Sequence, residues 1–143
     1  MTVAHLLRGK PMRLITIPAH ETLAKASQIL AREKIGAIVV IAPGGDLAGI
    51  FSERDLVRAV AKHGTAALDS KVSEAMTADV ICCSPGDSVD EVMSLMTSKR
   101  FRHLPVKEAG KMVGMISIGD VVKAKVEDAE RESADLRAYI TGT

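Results

Sequence analysis

The feature that most constrains this chain is a helix start written twice. GIFSERD at residues 49–55 returns as GMISIGD at residues 114–120, with Gly, Ser and Asp in the same relative places, 65 residues apart. The correspondence runs backwards at an offset of 66: ITIPAHETL from Ile15 lies over ICCSPGDSV from Ile81. Leu23, Ala26, Ser27 and Leu30 lie over Val89, Val92, Met93 and Met96. That i, i+3, i+4, i+7 spacing is one face of a helix in both copies, so Met93 and Met96 read as core filler. AIVVI then lies over HLPVK, and the turn APGGD is one residue longer than EAGK, which moves the offset to 65. A chain of 143 residues therefore divides into two similar halves.

Each half reads strand, helix, strand, tight turn, strand, helix. In the first, the pattern predicts a strand over 13–17 and a helix over 22–34. Strands over 37–41 and 47–51 follow, then a helix from Ser52 to His63 that Gly64 closes. AIVVI is apolar at every position, as expected of a strand covered on both faces. One half is too small to bury a core alone, so two halves sharing one core are expected.

Composition excludes several functions. A formal charge of +1 gives no electrostatic reason for nucleic acid or an anionic membrane as partner. The aromatics are Phe51, Phe101 and Tyr139 alone, too few for base-stacking platforms. The longest apolar run, AIVVIA at 37–42, is too short to span a bilayer. The N-terminus lacks the pattern of a secretory signal, and a cytoplasmic protein is the expectation. Cys82 and Cys83 are adjacent and fit neither a disulfide framework nor a zinc signature. His5, His20 and His63 have no metal-ligand spacing.

Ser52 with Asp55, and Ser117 with Asp120, are capping boxes. Each cap alone is worth about 1 kcal/mol. The same residues also suit a ligand. A helix N-terminus with a serine hydroxyl receives phosphate, and an ionised aspartate one turn in accepts hydrogen bonds from both ribose hydroxyls.

The repeat closely resembles a tandem pair of CBS (cystathionine β-synthase) domains, a Bateman module. The markers are TIPAHETLAKASQILAREKIGAIVV then LAGIFSERDLVRAV, and VMSLMTSKRFRHLPV then KMVGMISIGDVVKAKV. The resemblance implies an α/β (α+β) fold of two β-α-β-β-α repeats in pseudo-two-fold symmetry, over 3–66 and 67–128, with a C-terminal helical extension over 129–143. It implies a non-catalytic regulatory module that binds adenosine-containing ligands in a cleft between the repeats. AMP comes first among them, with ADP, ATP, NAD(H) and S-adenosylmethionine as the others. It also implies energy sensing, a homodimer and a regulated partner protein.

Carried over residue by residue, site A would combine Thr16 with Arg102, His103, Leu104, Ile116, Ser117 and Asp120. Site B would combine Cys82 with Gly36, Ala37, Ile38, Phe51, Ser52 and Asp55. In site A, Arg102 and His103 supply donors for phosphate, and Leu104 and Ile116 an apolar slot for adenine. Site B departs from that pattern: Gly36 and Ala37 replace the basic pair, Cys82 replaces Thr16, and Arg54 compensates in part. Site B is expected to be the weaker, or to favour a different ligand. Cys82 and Cys83 read as half-buried strand residues.

The last helix is expected to run to about Ile140. Val122, Val126, Ala129, Ser133, Leu136 and Ile140 recur at 4, 3, 4, 3, 4, a seam for another helix. It packs either on its own domain or on a second copy. Two other functions compete with the sensor. One is a structural dimer with empty sites. The other is a nucleotide-acting enzyme, which no Walker loop, metal cluster or triad spacing supports.

Overall fold

The structure, a computed structural model, describes residues 1–8 and 14–142. Its elements run α1 (Val3–Arg8), β1 (Thr16–Pro18), α2 (Leu23–Glu33), β2 (Ala37–Ile41), β3 (Leu47–Ser52) and α3 (Glu53–His63). A 3-10 turn (Gly64–Asp69) and α4 (Val72–Ala75) follow. The chain continues with α5 (Val89–Lys99), β4 (His103–Glu108), β5 (Lys111–Ser117) and α6 (Ile118–Thr141). The first strand begins later than expected, at Thr16; Arg13 lies outside the described residues.

The chain forms two compact units: residues 13–81, and residues 82–143 together with 1–12. These cross the boundaries of the repeats, and each is described by itself. Buried apolar residues form two clusters, one per unit, where the sequence suggested one shared core.

The physical reason is a short leader helix ahead of each repeat. In the 13–81 unit, α4 docks beside the start of α2. The Val72 amide donates to the Glu21 carbonyl (2.7 Å), Ser73 to Ala19 (3.0 Å), and Leu23 to Ser70 (2.9 Å). In the other unit α1 repeats these bonds at equivalent positions. Val3 donates to Asp87 (2.9 Å), Ala4 to Pro85 (2.9 Å), and Val89 to Met1 (3.1 Å). Val3 and Val72 are both fully buried. Each repeat thus gains apolar surface from the leader of the other. The sequence register missed this, because Val3 and Val72 stand 69 apart and not 66. Along the sequence, the first leader stands three residues further from its repeat.

The first sheet has the order β1-β2-β3, with β1 parallel to β2 and β3 antiparallel to it. Four of the five AIVVI residues are buried. The second sheet is the β4-β5 hairpin. Both hairpins shift register at matching places, Val40/Ile41 and Val106/Lys107.

The opening strand expected at Ile81 is absent from the second unit. What remains is a single parallel bridge between Cys83 and Val106. In the first sheet the ladder extends through the Ala19 amide to the Ile41 carbonyl (3.0 Å). Pro85 stands at the place of Ala19 and has no amide to give. The Ser84 amide is turned to the Asp87 carboxylate (2.9 Å). The strand therefore ends after one residue.

Candidate functional site

The helix starts fold as their sequence requires. In α3 the Ser52 hydroxyl accepts from the Asp55 amide (3.3 Å), and the Asp55 carboxylate accepts from the Ser52 amide (2.9 Å). In α6 the Ser117 hydroxyl accepts from the Asp120 amide (3.2 Å), and Asp120 accepts from the Ser117 amide (2.8 Å). Both are capping boxes.

Sheet register gathers the other expected residues of each repeat around these caps. In the first sheet Ala37 pairs with Ser52 and Ile38 with Phe51, while the Glu53 amide donates to the Gly36 carbonyl (3.0 Å). In the second, His103 pairs with Ser117 and Leu104 with Ile116, and the Ile118 amide donates to the Arg102 carbonyl (2.8 Å). Arg102 is exposed at the strand end and His103 is half-buried beside it. Arg54 is exposed in the first turn of α3.

The apolar residues have another role. Ile38, Phe51, Leu104 and Ile116 are fully buried in the core clusters, and Ala37 is buried too. A side chain with no accessible surface fills the core, so what these positions offer a ligand is their backbone. Thr16 is exposed on β1, paired with Val39, and belongs to the unit of Ser52 and Asp55. Cys82 is half-buried and belongs to the unit of Ser117 and Asp120.

The two aspartates differ in surroundings. Asp55 is 5% exposed. Its carboxylate takes the Ser52 hydroxyl as well as the amide (3.0 Å), the Thr77 hydroxyl (3.4 Å) and the Arg58 guanidinium (3.6 Å). Asp120 is only half-buried. Thr77 and Arg58 were not foreseen from sequence. Arg58 stands at i+3 from Asp55, a spacing that signals contact on a helix. Thr77 reaches Asp55 only because residues 76–77 return to β3, where the amides and carbonyls of Ile50 and Thr77 exchange bonds of 3.0 and 2.8 Å. Beside Asp55 a hollow of about 210 Å³ opens between α3 and α4, and Arg58, Lys62, His63, Ser70 and Glu74 contribute to its walls. Asp55 is the one residue of expected site B in that lining.

Cys83 lies in the core, and burial, with the Asp87 charge second, pushes its thiol up to about 12. A thiol so raised is not a reactive nucleophile at neutral pH. Among the described residues no group of three His, Cys, Asp or Glu could hold a metal ion. Among them, too, no helix is long and apolar enough to cross a membrane.

Comparison with known proteins agrees with the geometry. The CBS domain family matches residues 10–62 and 72–127. The chain is 40% identical over 126 residues to the CBS domain-containing protein CBSX3, mitochondrial, of Arabidopsis thaliana; the match covers 85% of this chain and 61% of that one. A crystal structure of a CBS-domain-containing protein from Agrobacterium tumefaciens is 46% identical, with a TM-score of 0.84 over 87% of this chain and 92% of that one. The CBS domain pair of protein MJ0100, solved in complex with 5-methylthioadenosine and S-adenosyl-L-methionine, shares the fold at 22% identity and a TM-score of 0.79, covering 90% of this chain and 98% of that one. With both family matches seated on the two Ser-x-x-Asp units described above, the chain belongs to the CBS-domain family as a tandem pair.

Proposed function

We propose that this chain is a non-catalytic sensor that binds an adenosine-containing nucleotide, AMP first, at the Ser117–Asp120 end of its second repeat. The observation that carries the reading is the convergence there of a capped helix N-terminus, the exposed Arg102 and the half-buried His103 and Asp120. Phosphate suits the helix tip and the basic pair, and ribose hydroxyls suit the carboxylate. The backbone at Leu104 and Ile116 reads the adenine edge. The MJ0100 complex supports the ligand class, since a CBS pair of this fold holds adenosine compounds.

The first repeat supports a weaker site B or an empty one. Asp55 already has its carboxylate occupied by Ser52, Thr77 and Arg58. A ribose would have to displace these bonds. Gly36 and Ala37 bring no charge there, and Arg54 adds an exposed cation in the first turn of α3. Homodimerisation, a regulated partner protein and a cytoplasmic location belong to the same proposal. The Arabidopsis relative is named mitochondrial, and a nucleotide sensor works by the same chemistry in either compartment. Regulation requires the partner to bind the liganded and empty states differently.

Titration calorimetry tests the reading. A few charge-assisted bonds, less ordering costs, give micromolar affinity, about −8 kcal/mol. Asp120→Ala is expected to weaken AMP binding roughly 10- to 100-fold, while Asp55→Ala changes it little. Unchanged affinity in Asp120→Ala removes that residue from the site. Melting curves with AMP, ADP, ATP, NADH and S-adenosylmethionine rank the ligands; no shift with any of them favours the structural dimer.

A further inference from the structure

We propose that the exposed seam of α6 pairs with the same seam of a second copy, as a parallel two-stranded coiled coil. This deepens the homodimer included in the function proposed above, by naming the surface and its partner.

α6 is 24 residues long, yet only Val121 and Ala124 are buried. Every residue from 129 to 142 is exposed. The expectation that the seam packs on its own domain fails at each apolar position: Val122, Val126, Leu136 and Ile140 are 49–73% exposed. A stretch of that length without tertiary packing is marginal as a helix in water. Its apolar residues therefore call for a partner.

The seam itself says which partner. Val126, Ser133 and Ile140 occupy one heptad position, and Val122, Ala129 and Leu136 the other. β-branched Val126 and Ile140 at the first, with Leu136 at the second, favour a parallel pair, and one polar residue such as Ser133 sets register. The flanks are self-complementary in the parallel arrangement. Lys125 meets Glu130 of the partner subunit, and Glu132 meets Arg137 of the partner subunit, twice each by symmetry. Lys125 also bonds Asp90 of α5 (2.7 Å), so the pairing of Glu132 with Arg137 discriminates best. The antiparallel register that covers Leu136 and Ile140 sets Lys123 against Arg137 and Glu130 against its own copy. The antiparallel register that matches charges leaves Ile140 beyond the overlap. Only the parallel seam covers all six positions and matches the charges.

Sedimentation equilibrium on the full chain tests this. The wild type is expected to be a dimer at micromolar concentration. Val126→Glu with Leu136→Glu, both at exposed positions, should raise the dissociation constant at least ~100-fold. Circular dichroism should show the two units still folded. A monomeric wild type, or an undiminished dimer in the double variant, overturns the proposal. So does dissociation by Val57→Glu alone, on the exposed face of α3. Ile140→Cys tests orientation: parallel helices place the two thiols side by side, and added oxidant should link them, with wild type as control. Antiparallel helices in the register that covers Ile140 would hold them roughly 27 Å apart, and a dimer that fails to crosslink overturns the parallel arrangement. AMP-induced melting shifts, measured on the same variants, keep the two proposals separate. A seam dimer without any nucleotide shift sinks the sensor and leaves the seam standing.

Discussion

The two helix starts are near copies in sequence, yet one is sealed and the other is open to a greater degree. Asp55 sits at 5% exposure under Thr77 and Arg58, whereas Asp120 is half-buried. The difference arises after the helix. Gly64 ends α3, and the chain turns back to lay Met76 and Thr77 on β3. α6 has no such stop and runs to Thr141. Its unit is covered by α1, whose Leu7 approaches Gly114. Gly49 and Gly114, the matching glycines of the two motifs, thus accept different visitors. The same motif becomes a structural cap in one place and a candidate binding site in the other, according to what the following chain does.

The glycines give the largest test of this contrast. A Cβ on Gly49 would lie 2.5 Å from the Thr77 carbonyl oxygen and 2.9 Å from the Met76 sulfur. Backbone cannot yield easily, and Gly49→Ala is expected to lose about 3 kcal/mol in urea unfolding. Among the described residues a Cβ on Gly114 meets only the tip of Leu7, at 2.9 Å, and a side chain can turn aside. Gly114→Ala should lose about 1 kcal/mol. Equal losses would break the distinction between backbone cover and side-chain cover.

Asp55→Ala comes next. It leaves the half-buried Ser52 amide and the Thr77 hydroxyl without their acceptor, and about 2 kcal/mol of stability should go. Asp120→Ala, at a carboxylate that is only half-buried, should lose less than that. A larger loss for Asp120 would reverse the assignment of structural and binding roles.

The smallest effect concerns the Asp90–Lys125 pair, which ties α6 to α5 at 2.7 Å. The hydrogen bond and charge of Lys125 hold the Asp90 carboxyl below its usual range, and Asp90 in turn raises Lys125. A carboxyl lowered by folding stabilises above its unfolded pKa and loses that contribution as pH falls through the folded value. The raised lysine loses its share only as pH climbs through its own folded value. Both side chains are solvated and screened by salt. Lys125→Ala should therefore barely move the melting temperature at neutral pH, and the small difference from wild type should vanish in acid. A drop of several degrees would show that the tie matters more than its exposure allows.

Much of the fold was legible from residues alone. The period-3.6 faces of α2 and α5, the apolar AIVVI strand and the two Ser-x-x-Asp caps are local patterns, and the structure shows them where the sequence put them. The leader helices escaped because α4 has only four residues and the offset between leaders breaks the register of the repeat. The lost strand at Ile81 turned on one proline and one serine-to-aspartate bond. Thr77 gave no signal, being 22 residues from Asp55 in sequence.

By itself the sequence determined the duplication, the capped helix starts and the heptad spacing of the last helix, since each depends on residues within a few turns of one another. Tertiary structure decided which aspartate was sealed, which leader fed which core and whether the seam was covered. Those outcomes depend on where distant segments return, and a segment's return is set by packing across the unit, beyond the reach of any local pattern.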